Sequence, residues 1–341
     1  MDNNFNIEEL FYKMDDSQFP HITNEDKTYK ELYSDFSQRL VKYQNNIILG
    51  AIKDNSNIVL NDHGENHIKK VIEKVSTIYS FFQDKTLSAI ELFFLLCSIR
   101  VHDIGNLYGR DNHETKINEI IKDNLDTEYS IIKKIIYKIA NAHGGNVEGY
   151  KDKISYIDDI MPYHNCKIRL HLLAALLRFG DELADDYSRA NYRAMKDNLL
   201  GESELYHEYS KSLIYVSLTQ NERNKNIYIE LYYNISYEVI LKKFYINGSN
   251  KYFVDELKSR ILKMEKERIY CMRYLQPYIF ITNIKYEIRI DNENNLESIP
   301  IIISGSVGEK GYPNNINMDI IDIPSVDKII NNIKDRGWIK K

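Results

Sequence analysis

The sequence contains little cysteine, and its few thiols are far apart. Three cysteines occur in 341 residues, at Cys97, Cys166 and Cys271, and no two of them form a CxxC pair. Paired cysteines are typical of thiolate zinc sites and of disulfide frameworks. We therefore expect neither kind of site, and scattered free thiols fit a protein of the reducing cytoplasm.

An excess of charge of one sign and long apolar runs are also missing. The net charge is −5, from 45 basic and 50 acidic residues, and no block is rich in lysine and arginine. This balance gives no general attraction to nucleic acid, although it leaves a local basic groove open. The longest apolar runs, such as ELFFLLCSI, are well short of the roughly 20 residues that span a bilayer. The start MDNNFNIEELF lacks the basic and apolar regions of a secretory signal. We expect a cytoplasmic protein with no membrane partner.

Helical periodicity dominates the first two hundred residues. Apolar residues recur at three- and four-residue spacings, which predicts helices. These stretches are 26–54, 64–83, 114–124 and 128–142. The segment TLSAIELFFLLCSIRVHD is apolar on nearly all sides, which predicts a buried central helix. KIRLHLLAALLRFGDELADD predicts a long apolar helix with an acidic end.

The pattern changes near residue 200. LIYVSLTQ and NIYIELYYNIS alternate and are rich in β-branched and aromatic residues, which predicts two strands joined by the loop NERNK. Residues 251–275 return to a helical pattern, NIKYEIRI and SIPIIISGS predict further strands, and 325–334 predicts a short last helix. The sequence therefore predicts a mainly α protein, with a helical bundle core followed by a smaller α+β C-terminal region.

Residues of the types that bind metals stand at four places on the predicted helices. They are His63 and His67 in HGENH, His102 with Asp103 in VHDIG, His143 in AHGG, and Asp181 in RFGDEL. Sulfur-free sets of histidines and carboxylates suit Mn, Fe, Ni or Zn, and less readily Mg. Neighbouring residues on a helix point about 100° apart, so a His-Asp doublet can share one ion only if other helices supply further ligands.

The order of these residues resembles the HD superfamily of metal-dependent phosphohydrolases. The matching positions are His67, His102-Asp103 and Asp181, over roughly residues 60–195. The longer pattern HGENHIKKV…HDIG…AHGG…LAALLRFGDELADD is similar to bacterial HD proteins associated with Hsp90-like ATPases. The resemblance implies an HD-type helical bundle at 59–200. A helical region at 1–58 would pack on this core, and the α+β region would occupy 201–341.

The resemblance also implies a chemistry. His67, His102, Asp103 and Asp181 would bind a divalent metal, and Asp103 could bridge to a second ion that His143 would also bind. A metal-bound hydroxide would attack the phosphorus of a nucleotide or another small-molecule phosphoester. Asp103 and His143 are then the predicted catalytic residues, with His143 completing the second site or protonating the leaving oxygen.

Two further residues are predicted to bind substrate, each with an alternative. His63 either contacts a substrate phosphate or supports the ligands, or else it caps the start of its helix. Arg178 lies one turn before Asp181, and it either binds a substrate phosphate as a fork or pairs with a carboxylate such as Glu182.

A regulatory module is the alternative to an enzyme. In that interpretation the metal site persists, but the protein senses a nucleotide and works with an Hsp90-like ATPase partner in stress or phage defence. The C-terminal α+β region would then provide the docking surface. Apolar helices outside the motif also make a homodimer an expectation.

Overall fold

The computed structural model describes residues 5–22, 27–46, 64–84, 87–108, 113–246, 248–295, 297–308 and 321–339. The described chain forms two compact units. The first holds the residues up to Ala184 together with Tyr270–Ile279, and the second holds Asp185–Ile269 and the residues from Phe280 onward. The whole is mainly α with a smaller α/β part towards the C-terminus, which agrees with the predicted class. Within the described ranges, no helix combines the length and apolar character that crossing a membrane requires.

The first unit is a bundle of α-helices with one short hairpin. The helices are α1 Ile7–Lys13, α2 Tyr29–Gln44, α3 Glu65–Ser80, α4 Ala89–Val101, α5 His113–Asn124, α6 Ser130–Asn141 and α7 Leu170–Leu183. The strands β1 Ile160–Tyr163 and β2 Cys166–Arg169 pair antiparallel directly before α7. The predicted helix at KIRLHLL therefore begins only at Leu170, because the residues before it belong to the hairpin.

The central helix α4 is buried on all sides, as its uniform apolar sequence predicted. Arg100 is its one residue that is not buried. The helix begins with a capping box, in which the Ser88 side chain accepts from the backbone N–H of Glu91 and the Glu91 carboxylate accepts from that of Ser88. The same buried carboxylate receives the Arg169 guanidinium at 2.6 Å. Side chains of Ser88, Glu91 and Arg169 thus fix the start of α4.

Helices α3 and α7 come close together at Gly180. A Cβ atom at this position would lie 2.3 Å from Cγ2 of Val75 on α3, well inside van der Waals contact. The absent side chain therefore permits the close approach. Asp181 follows Gly180 directly on α7, and His67 lies on α3. The packing at Gly180 consequently controls how near the helices that carry these two residues can come.

The second unit is built on a four-stranded sheet. Its helices are α8 Tyr192–Lys196, α9 Glu204–Ser212, α10 Tyr237–Leu241, α11 Phe253–Leu275 (which continues into the first unit) and α12 Val326–Asp335. The sheet has the order β3 Leu213–Gln220, β4 Ile227–Ser236, β7 Ile281–Asp291 and β8 Ile301–Gly308, and a separate hairpin joins β5 Lys243–Ile246 to β6 Ser249–Tyr252.

Strand pairing in this sheet is mixed. β3 pairs antiparallel with β4, which confirms the predicted hairpin, and β7 pairs antiparallel with β8. β4 and β7 are parallel neighbours, so the chain between them must return to the same end of the sheet. Helix α11 lies in that connection. The alternating pattern predicted these strands but not the parallel pairing.

Replacing Gly180 with alanine tests the close approach of α3 and α7. We expect Gly180→Ala to lower the free energy of unfolding by about 1–3 kcal/mol, the usual cost of overpacking a core. Val75→Ala makes room for the new methyl group, so the double variant should lose less than the sum of the two single losses. Urea denaturation of the four proteins measures this coupling. Strictly additive losses would contradict the contact.

Candidate metal centre

Four side chains from three helical segments meet in the first unit. They are His67 on α3, His102 and Asp103 directly after α4, and Asp181 on α7. Each offers one ligand atom, and these atoms all lie within 4.8 Å of one another. Nε2 of His67 lies 3.0 Å from Oδ1 of Asp181. Nε2 of His102 lies 3.4 Å from Oδ2 of Asp103 and 3.5 Å from Oδ1 of Asp181. The structure therefore brings together the four residues predicted to bind one metal.

The ring of His102 is oriented by its own helix. Its Nδ1 lies 2.9 Å from the carbonyl oxygen of Ile99, and since a carbonyl only accepts, Nδ1 donates. In the neutral ring, Nε2 then presents its lone pair to the carboxylates of Asp103 and Asp181. Its distances to their oxygens exceed the roughly 2.7–3.2 Å of an ordinary N–H···O bond. A histidine with one nitrogen bonded to a backbone carbonyl, and the other directed to where further ligand atoms converge, is the usual arrangement of a metal ligand.

The electrostatics of the group also favour a cation. Burial alone would raise the pKa of Asp181, but the imidazoles of His102 and His67 beside it outweigh burial and hold that pKa well below its usual range. Burial alone would lower the pKa of His102, but the carboxylates of Asp103 and Asp181 outweigh it and raise that pKa well above its usual range. Both pKa shifts have the same cause, which is the attraction between the carboxylates and the imidazoles in their charged forms. The neighbouring carboxylates therefore favour positive charge beside them. A divalent ion meets that need, so the donor set fits a metal.

His143 lies beside the group of four, on the other side of Asp103. Its Nε2 is 3.4 Å from Oδ1 of Asp103, whereas Oδ2 faces His67 and His102. Its Nδ1 bonds to the carbonyl oxygen of Ala140, three residues back, as His102 does with Ile99. The two oxygens of Asp103 thus face different histidines. The predicted roles of His143, at a second metal or as an acid, stay predictions.

The two predicted substrate-binding residues have different outcomes. His63 lies outside the described residues. Arg178 is buried on α7, and its guanidinium lies over the ring of Tyr270 at 4.3 Å from the ring centre. The Tyr270 hydroxyl accepts from the backbone N–H of Ile154 at 3.1 Å. The sequence did not predict this stacking, because Tyr270 is distant in the chain and no local pattern links the two residues.

A helical unit that brings histidines and aspartates together from three segments is typical of metal-dependent hydrolases of the HD type. The chain belongs to the HD-CE family, whose model matches residues 53–263. No curated protein and no solved structure matches the chain. The matched range includes all four candidate ligands and ends within α11, whereas α1 and α2 precede it. The comparisons give no support to an association with Hsp90-like ATPases.

Metal addition and removal test the centre directly. We expect Mn²⁺ or Zn²⁺ to stabilise chelator-treated protein, by about 2.7 kcal/mol at a free concentration of roughly 100 times Kd. Differential scanning fluorimetry measures the shift, which should vanish in His102→Ala. His171→Ala is the matched control. That ring lies on α7 but bonds to the Ile157 carbonyl at 2.9 Å and faces Asp159, so the variant should still respond to metal. An equal response in both variants would argue against the site.

Proposed function

We propose that this protein is a metal-dependent phosphohydrolase that acts on a nucleotide or another phosphoester. The observation that carries the proposal is the convergence of four ligand atoms within 4.8 Å, from residues that are distant in the chain. Membership of the HD-CE family supports it, because the matched range includes all four residues. The substrate class follows from the HD resemblance of the sequence and from the need of an anionic phosphoester for a cationic site.

The proposed chemistry divides between the ion and the chain. His67, His102, Asp103 and Asp181 would hold the ion, and a divalent metal bound there supplies Lewis acidity and lowers the pKa of water. The Ile99 carbonyl keeps Nε2 of His102 available as a ligand atom. Ionised Asp181 supplies an oxygen beside His67 at 3.0 Å. The chain thus contributes orientation and charge balance to the reaction.

His143 is the proposed proton-transfer residue. Its Nδ1 is held by the Ala140 carbonyl, which leaves Nε2 to accept or release a proton. That atom lies 3.4 Å from Oδ1 of Asp103, which can orient it or share its charge. A substrate oxygen leaving from the Asp103 side would receive the proton from Nε2. A second metal at the same place would use the same lone pair, so the two proposed roles of His143 exclude each other in any one state.

Arg178 and His63 are the proposed phosphate-binding residues. Arg178 lies one turn before Asp181 on α7, and the central carbon of its guanidinium lies 4.3 Å from the ring centre of Tyr270. A planar guanidinium suits bidentate binding of a phosphate, and it can pack on an aromatic face at the same time. Pairing with a carboxylate remains the structural alternative for Arg178.

A substrate screen decides between the enzyme and the sensing module. Nucleotides and simple phosphoesters would be incubated with Mn²⁺, Ni²⁺, Co²⁺ and Mg²⁺, and phosphate release measured. We expect turnover by the wild type and by His171→Ala. Loss of a residue that only supports a metal ligand typically lowers activity by about 10–100-fold. His102→Ala removes a candidate ligand itself, so its turnover should fall by more than that. Saturable nucleotide binding without turnover in every metal would contradict the hydrolase and favour a catalytically weak regulatory module.

The role of Arg178 can be separated from its packing. We expect Arg178→Lys, which keeps the charge but loses the fork, to raise KM by about 10–100-fold, since hydrogen bonds to charged groups are worth roughly 1.5–3 kcal/mol. Tyr270→Phe is the control, because it keeps the ring under Arg178 and removes only the hydroxyl. Steady-state kinetics of both variants measure the effect. A fall in thermal stability of Arg178→Lys with unchanged KM would assign Arg178 to structure alone.

A further inference from the structure

His102 and His143 share one local arrangement. Each follows the end of a helix, α4 or α6, and each bonds through Nδ1 to the carbonyl three residues before it. In both cases the next carbonyl along the chain, two residues before the histidine, is also bound, by a side chain from a distant segment. Nε2 of Gln44 donates to the Arg100 carbonyl at 2.9 Å. Nζ of Lys153 lies 3.4 Å from the Asn141 carbonyl.

These two contacts act where a helix is least constrained. The last carbonyls of an α-helix have no partner inside the helix, so the final turn frays unless other groups bind them. A histidine just beyond a frayed final turn can therefore change its position and orientation. When the carbonyls two and three residues back are both bound, the peptide planes that carry the histidine are fixed. The direction of Nε2 is then fixed as well.

Stability alone does not explain why a glutamine, Gln44, holds the end of α4. It is 1% exposed, and within the described structure its Oε1 is buried without a hydrogen bond. A buried acceptor left without a partner destabilises a fold. An apolar side chain of similar size would avoid that cost. Among the described residues, the side chain of Gln44 bonds to the carbonyl next to the one that orients His102, which points to a role in the site.

The side chain of Arg100 is held from the same N-terminal region. Its Nη2 lies 2.7 Å from Oε1 of Glu8 on α1, and its Nε donates to the Tyr33 hydroxyl on α2 at 3.0 Å. The start of α1 is in turn fixed to α3, because the backbone N–H of Ile7 donates to Oγ of Ser76 at 3.0 Å. Helices α1 and α2 thus bind both segments that supply His67 and the His-Asp doublet.

We propose that Gln44 and Lys153 are positioning residues for His102 and His143. The N-terminal helices α1 and α2, which precede the family-matched range, thereby help to orient the candidate ligands of the metal centre. The inference rests on the proposed metal site. Gln44 acts on the four-ligand group through His102, and Lys153 acts on the Asp103 side through His143.

Cobalt binding to the protein tests this role. Co²⁺ is titrated and followed by its visible absorption, which reports both affinity and ligand geometry. We expect Gln44→Met to weaken Co²⁺ binding by about 10-fold, which is the smaller effect typical of losing a residue that supports a metal ligand. The absorption spectrum at saturating Co²⁺ should also change. Lys153→Met should also alter the spectrum, whereas Lys153→Arg, which keeps a donor, should restore it.

Arg39→Met is the matched control for Gln44→Met. Arg39 lies on the same helix α2 and donates to the carbonyl of Asn124, at the end of α5, at 3.2 Å. It makes the same kind of contact to a helix that carries none of the four ligands. Its loss should leave Co²⁺ affinity within about twofold and the spectrum unchanged, whatever it does to the melting temperature.

The outcomes separate the inference from the proposed function. Wild-type affinity and spectrum in Gln44→Met, or an equal change in Arg39→Met, would overturn the positioning role while the metal site stands. A wild type that does not bind Co²⁺ would overturn both. Should Gln44→Met fail to fold, Gln44→Asn takes its place, since its amide is one methylene short of the Arg100 carbonyl. Should neither fold, the comparison of Lys153→Met with Lys153→Arg decides by the same criteria.

Discussion

Two largely buried carboxylates, Asp103 and Asp181, stand within 4.8 Å of each other beside the imidazoles of His67 and His102, and this constraint governs the centre of the first unit. Like charges in a poorly solvated place repel each other unless positive charge lies beside them. One compensating imidazole, that of His102, comes from the residue next to Asp103, and the other, that of His67, comes from α3. Asp181 itself arrives from α7, so three segments have to meet at this point. The segments that carry the four candidate ligands are packed closely, since α4 is buried except at Arg100 and a glycine stands where α7 meets α3.

The four candidate ligands could be singled out from the sequence because their order resembles that of the HD superfamily, and the structure brings their side chains together. Histidine and aspartate side chains next to apolar helical stretches are unusual, and their order along the chain restricts the ways in which they can meet. The orientation of each ring was open to prediction in principle, since a histidine just past a helix end lies within reach of the carbonyl three residues back. What the sequence could not show is how the two oxygens of Asp103 divide between His143 and the other histidines.

Long-range contacts were beyond the reach of local patterns. Nothing near Gln44 indicates the carbonyl that it binds, and nothing near Arg178 indicates the ring of Tyr270. The sheet shows the same limit. Alternation predicts that β4 and β7 are strands, but pairing them in parallel depends on the intervening helix and on which strands remain free, and these are properties of the assembled unit. The hairpin before α7 escaped prediction because its four-residue strands are too short to show a period.

The first unit is discontinuous along the chain. Asp185–Ile269 belongs to the second unit, and Tyr270–Ile279 then returns to the first before the chain goes back to the second. The ring on which Arg178 stacks comes from this returning segment. A single genetic exchange could not transfer one unit without dividing the other, because their segments alternate along the chain. The arrangement therefore favours inheritance of both units together, and neither unit can be moved to another protein as one continuous segment.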